Sequence, residues 1–254
     1  MALSDISFVS GLTALLIVFT SIVLGIYLLS SYRKSKSYQT LSLGLTIFSV
    51  GWVWSSISMN FLLMIFDMDP LPRIHYVMVF AWAPVVGLIG TTYLVTSLLK
   101  PSLVKPLGII VIVLGAIEIF LMYVLVPFTE IINLQDVIQF ASGLPQEELP
   151  DASAKGFLQI FSAIAIISML ISGLFFLYTG LKTDISFVKA RGIFMGLGFS
   201  LFSPLILFDT LLNPDNVVFL LILRLLIITT LFIMAIGITL PGFIFNRFGI
   251  SKPS

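Results

Sequence analysis

Long apolar runs and short polar connectors alternate along the whole chain. The runs lie near Ser7 to Leu29, Tyr38 to Phe66, His75 to Leu99, Leu107 to Phe128, Gly156 to Leu181, Gly192 to Leu212 and Asn216 to Leu240. Each is long enough to cross a hydrocarbon core, which takes about 20 mostly apolar residues in helical form. In lipid the backbone must satisfy its own hydrogen bonds, so a lone strand or open loop is excluded and each run is expected to be a helix. The predicted fold is all-α: one polytopic bundle of seven transmembrane helices filling residues 1–254.

Composition agrees with the pattern. Hydrophobic residues make up 59% of the chain and charged residues only 10%, against about a quarter charged in a soluble domain. The connectors also sort by sign. One set holds Arg33, Lys34, Lys36, Lys100, Lys105, Lys182, Lys189 and Arg191, with Arg247 and Lys252 after the last run and Asp184 as its acid. The other holds Asp5, Asp67, Asp69, Glu130, Asp136, Glu147, Glu148, Asp151 and Asp215, with Arg73 and Lys155 as bases. The two sets alternate over seven runs. Because cytoplasmic loops are the Lys/Arg-rich ones, the expected orientation is N-terminus outside and C-terminus inside, in the cell (cytoplasmic) membrane. The first run is expected to stay in place as a helix that also serves for targeting. The net charge of +1 averages a basic face against an acidic one. The basic loops are short and carry what orientation alone requires, so no nucleic acid partner is expected.

Two charges stand away from the connectors. Glu118 falls halfway between Lys105 and Glu130, and Arg224 lies nine residues beyond Asp215. Intramembrane charges are costly, and such residues mark function or a built pair. A guanidinium stays charged, so Arg224 needs an acid. Asp209, across the Asn213-Pro214-Asp215 turn, is the favoured partner because sequential helices usually neighbour each other, and Glu118 is the other candidate. A structural Asp209–Arg224 pair and a role for Arg224 in anionic ligand binding or gating both remain open. Glu118 is either a neutral core residue or a site that senses protons or ligand.

The tryptophans avoid the interfacial belts where that residue normally collects. Trp52, Trp54 and Trp82 all lie within runs, near Ser55, Ser56, Ser58 and Asn60. Trp54, Trp82 and Asn60 are therefore candidates for an outward-opening ligand cavity, while interhelical hydrogen bonds account for the same polar residues. In the sixth run Gly192, Gly196, Ser200 and Pro204 recur at four-residue spacing; small residues of this kind let helices approach closely, and Pro204 is a candidate hinge. Pro84, Gly87 and Thr91 form a similar set. The stretch Leu43–Ser49 resembles Leu197–Ser203 in two parallel spans, the mark of a duplication into two three-helix halves. In the long outer connector, Ile131, Leu134, Val137, Ile138 and Phe140 share one side of a helix that would lie in the interface.

Several chemistries lack their residues. The chain has no cysteine and a single histidine, His75, which excludes thiolate and histidine-rich metal sites. Arg224 is the only base in the middle of the seventh run, where a retinal Schiff base would need a lysine. No Ser/His pair and no pair of acids is placed for catalysis. An enzyme is not expected, nor is a cofactor.

Arg33-Lys34 after the first run, Gly51-Trp52 in the second, Trp82-Ala83-Pro84 with Tyr93 in the third, and Lys189-Ala190-Arg191 leading to Pro204 give the chain a likeness. It resembles the seven-helix N-terminal sensor region of membrane histidine kinases. The resemblance implies an input module in front of a cytoplasmic kinase. The sequence carries no kinase, which departs from that pattern, puts direct signalling output in doubt and calls for a separate partner protein or a different role. The expected function is a receptor-like sensor that takes a small or lipidic ligand in the outer half of the bundle and acts on a cytoplasmic signalling partner. The rival readings are a transporter or proton-coupled permeation protein using Glu118 and Arg224, and a structural or assembly subunit.

Overall fold

The computed structural model describes residues 5–125, 156–212 and 216–240, and among them every regular element is a helix. In chain order these are α1 (Asp5–Ser35), α2 (Tyr38–Trp52), α3 (Ser55–Ile65), α4 (Arg73–Phe80), α5 (Trp82–Leu99), α6 (Val104–Phe120), α7 (Gly156–Lys182), α8 (Ser186–Leu212) and α9 (Val217–Thr239). A 3-10 turn, Pro101–Leu103, leads into α6, and a wide π turn, Leu121–Leu125, follows it. Six helical stretches are long and apolar enough to cross a bilayer, and α2 with α3, which pass the same test together across a 45° bend, bring the number to seven if the pair is counted as one span. This is the architecture of a multi-pass membrane protein. The interfacial segment from Ile131 to Phe140, the end of the fourth span at Phe128 and the Asn213-Pro214-Asp215 turn lie outside the described residues.

Local chemistry sets the ends. Ser37 caps α2 by accepting the Thr40 N–H, and Asn216 caps α9 by accepting the N–H groups of Val218 and Phe219 at 2.9 and 3.1 Å. Such caps satisfy N–H groups that a helix start leaves orphaned. The first span continues to Ser35 rather than Leu29, and the sixth begins at Ser186 rather than Gly192. In both cases the helix extends through basic residues, whose long side chains carry their charge to the interface while the backbone stays helical.

Two spans are broken. In the second, the N–H groups of Val53 and Trp54 reach back only three residues, to Val50 and Gly51, and the chain restarts as α3. The third divides at Ala81 into α4 and α5. Pro84 sits at the third residue of α5, within the first turn, where a missing N–H removes no helical bond. By contrast α8 runs unbroken through Pro204.

Helices touch where side chains are small. A Cβ on Gly51 would collide with Ser21 of α1, so only glycine permits this crossing beside the bend. The stripe of Gly192, Gly196 and Ser200 lies against Gly180, Leu177 and Gly173 of α7, as small residues do where lipid tails compete with larger side chains for packing. Neighbouring spans form a closed ring in the order one, two, three, five, six, seven, with the fourth span outside it against α5. The adjacencies one–two, two–three and three–five recur as five–six, six–seven and seven–one, the order a duplicated three-helix unit would produce. The matched glycines do not follow that symmetry. Gly44 faces span one through Leu28 and Gly25, whereas Gly198 faces span seven through Met234 rather than span five.

Inside the ring, Ala14, Ile17, Leu43, Ile47, Phe199, Phe202, Ile227 and Leu231 are wholly buried in one apolar cluster. The outer faces are apolar as well. On α6, Ile109, Ile112, Val113 and Phe120 are all more than half exposed, the inverse of a water-soluble surface helix and suited to lipid.

Candidate functional site

The residues with the most demanding chemistry meet near the acidic end of the ring. Arg224 lies in the second turn of α9 and is 1% exposed. Its Nε donates to Asp209 Oδ1 of α8 at 3.0 Å. Its Nη1 donates to the Ser10 carbonyl of α1 at 2.6 Å, to Ser10 Oγ at 3.0 Å and to Thr13 Oγ1 at 3.4 Å. The second carboxylate oxygen, Asp209 Oδ2, accepts the indole N–H of Trp54 at 3.0 Å. The structure therefore pairs Arg224 with Asp209, not with Glu118.

Position in the chain explains why these groups meet. The sixth and seventh spans are sequential, so Asp209 near the end of α8 stands opposite the start of α9. Trp54 is the second of the two residues between α2 and α3, and the bend of the second span delivers its ring to the carboxylate. Its carbonyl receives the N–H and Oγ of Ser58 at 3.0 and 2.9 Å, which starts α3. One junction thus joins α1, the α2–α3 bend, α8 and α9. A desolvated ion pair gains net stability only when further hydrogen bonds satisfy both partners. Here the Trp54 indole, Ser10 and Thr13 supply them. Sequence reasoning missed Ser10 and Thr13. Their signal was slight: two small hydroxyl residues three apart in an apolar run, on one face of a helix.

The other expected cavity residues do not join this junction. Trp82 stacks in an aromatic group with Trp52 and Phe48, with ring centroids 5.8 and 6.2 Å away, and the Trp52 indole donates to the Val79 carbonyl at 2.8 Å. Asn60 is fully buried and accepts the Leu71 N–H at 2.8 Å, tying down the connector after α3. Ser56 donates to the Tyr76 carbonyl at 2.6 Å. In the polar outer half of the second span, Ser56 and Asn60 are thus committed to hydrogen bonds with α4 and the α3–α4 connector. The Asn60 Nδ2 and the Ser55 Oγ are buried without a partner among the described residues.

Glu118 has a different setting. It is fully buried, and neither carboxyl oxygen has a hydrogen-bond partner among the described residues. On α6 the buried positions are Val111, Gly115 and Glu118, one narrow stripe. A Cβ on Gly115 would run into Val85 of α5, so the stripe faces that helix closely. The π turn begins three residues later, and its Tyr123 hydroxyl donates to the Met78 carbonyl at 2.5 Å. Leaving a buried carboxyl group without a partner is costly, and a donor or cation reaching the site would lower that cost.

Among the described residues no cluster of His, Asp or Glu could hold a metal ion. His75, in the first turn of α4, is exposed. Pro204 is half-buried within α8, five residues before Asp209 on the helix that carries the carboxylate. Comparison with protein-family models, curated proteins and solved structures finds no match to this chain.

Proposed function

We propose that the protein is a receptor-like sensor of the cell membrane, with its N-terminus outside and its C-terminus inside, which takes a small or lipidic ligand in the outer half of the bundle and acts through a cytoplasmic partner. The supporting observation is the contrast along the bundle axis. The charged junction at the acidic end is followed, toward the basic end, by a packed apolar interior that includes Ile17, Ile47, Phe199, Ile227, Leu231 and Met234. Three hydroxyl groups within that interior bond to their own helices: Ser21 to the Val18 carbonyl, Ser203 to Phe199 and Thr230 to Ile227. A permeation pathway needs polar groups turned toward a lumen; these are turned away from one.

In this reading the ligand carries an anionic group that competes with Asp209 for Arg224. Displacing the carboxylate frees the Trp54 indole, which sits at the bend of the second span, and loosens α8 and α9 from α1. A ligand that binds the loosened state better shifts the population toward it, and that difference is all a sensor requires.

Proteoliposomes test the proposal. Wild-type protein is expected to carry no solute flux above that of empty vesicles. In a Trp52→Phe, Trp82→Phe background, anionic amphiphiles are expected to change Trp54 fluorescence, and Arg224→Met is expected to abolish the change. Solute flux that disappears in Glu118→Gln would instead establish the transporter reading. That second reading has its own support in the repeated adjacency of the two three-helix groups, since many carriers are built from parallel repeats.

A further inference from the structure

A trough opens sideways between α5 and α6 near the basic end. It has a volume of about 330 Å³, and Ile89, Thr92, Tyr93, Lys105, Gly108 and Ile112 are among the residues that line it. Gly108 is the unusual member. The glycines from Gly11 to Gly90, Gly115, and those from Gly173 to Gly237 each have a neighbouring helix within 4 Å of where a Cβ would stand, whereas a Cβ on Gly108 would meet nothing. Glycine is a poor helix former, and here no helix contact compensates for it. Its effect is to keep the floor of the trough deep.

The lining sorts by polarity along the membrane normal. Lys105, exposed at the start of α6, lies three residues before Gly108 and so on the same face, at the basic edge of the bundle. Lys100 is exposed in the adjoining connector, and neither lysine has an ion-pair partner among the described residues. The Tyr93 hydroxyl also lacks a partner among them. From Lys105 to Ile112 the helix rises roughly 10 Å, about the upper part of one leaflet, whose hydrocarbon half-thickness is about 15 Å.

We infer that this trough is a binding site for an anionic glycerophospholipid of the leaflet on the basic side. One acyl chain lies over Gly108 between Ile89 and Ile112, the phosphate meets the Lys105 ammonium, and the Tyr93 hydroxyl donates to an ester carbonyl. Basic pockets between membrane helices recognise anionic headgroups through this combination of charge and apolar shape. The site is separate from the Arg224 junction and does not depend on the sensor reading.

Lipid retention on the purified full chain in detergent micelles, read by native mass spectrometry, tests the inference with palmitoyl-oleoyl phosphatidylglycerol and phosphatidylcholine as probes. Wild-type protein is expected to retain phosphatidylglycerol in preference to phosphatidylcholine. Lys105→Gln is expected to weaken that retention about fivefold, the effect of one surface cation on an anionic lipid. Gly108→Leu fills the trough without meeting another helix, and is expected to lower retention of phosphatidylglycerol while leaving the lipid-free melting temperature unchanged. Val113→Leu, on α6 outside the trough, is expected to bind as wild type. Equal retention of the two lipids by wild type, or wild-type retention by both Lys105→Gln and Gly108→Leu, would overturn the inference.

Discussion

Arg224 and Glu118 look alike in the sequence, each a lone charge in a long apolar run, but the structure gives them opposite environments. Arg224 stands inside the ring, and its guanidinium has a carboxylate, a carbonyl and two hydroxyls around it. Glu118 stands on the peripheral fourth span, and its two oxygens have no partner among the described residues. The first is a satisfied network that ties elements from both halves of the chain. The second is an unsatisfied group on a span with 22% of its apolar window buried. A buried charge therefore does not by itself announce a function; what matters is whether the fold has matched it.

The comparison breaks first at Asp209. Asp209→Ala leaves a guanidinium buried without its acid and is expected to cost about 3–5 kcal/mol, read as a large fall in thermal midpoint in detergent. A double change, Asp209→Leu with Arg224→Met, is expected to recover most of that loss. If the single variant melts as wild type does, the pair has no structural weight. Next comes Trp54→Phe, which keeps an aromatic side chain but replaces the indole with a smaller phenyl and removes the N–H from Asp209 Oδ2. A hydrogen bond to a charged group is worth about 1.5–3 kcal/mol, so the midpoint should fall by less than for Asp209→Ala. The smallest effect sharpens the contrast. Glu118→Leu removes a polar group that has no partner to strand, so stability is expected to change by less than about 1 kcal/mol or to rise. A loss as large as that of Asp209→Ala would mean that Glu118 is matched after all.

Much of the fold was legible in the residues. The apolar runs became six long helices and the bent α2–α3 pair, because each run must complete its hydrogen bonds alone in lipid, a local condition that length and polarity report directly. The Asp209–Arg224 pair was legible for a related reason: adjacent spans in a hairpin are neighbours, and an arginine must find an acid. The contribution of α1 was not legible. Ser10 and Thr13 are more than two hundred residues from Arg224, and nothing local marks two hydroxyls as partners of a distant guanidinium. Trp54 and Trp82 illustrate the same limit. They were grouped by residue type and proximity in the chain, yet one reaches Asp209 and the other stacks with Trp52 and Phe48. Trp54 sits at the break between α2 and α3 and Trp82 just after the break at Ala81, and no proline stands at the first of these to announce it.

By itself, the sequence determined that this chain is a bundle of membrane-crossing helices, where those helices lie, and which two charges stand among them. Hydropathy and helical rise are properties of each segment, and they survive any arrangement of the segments. Only the tertiary structure decided that spans one and seven close the ring, that the fourth stands outside it, and that Arg224 is satisfied while Glu118 is not. Those outcomes depend on which small residues let which backbones approach, as Gly51 does at Ser21 and Gly192 at Gly180. Close approach is a property of pairs of helices, so no single run of residues contains it.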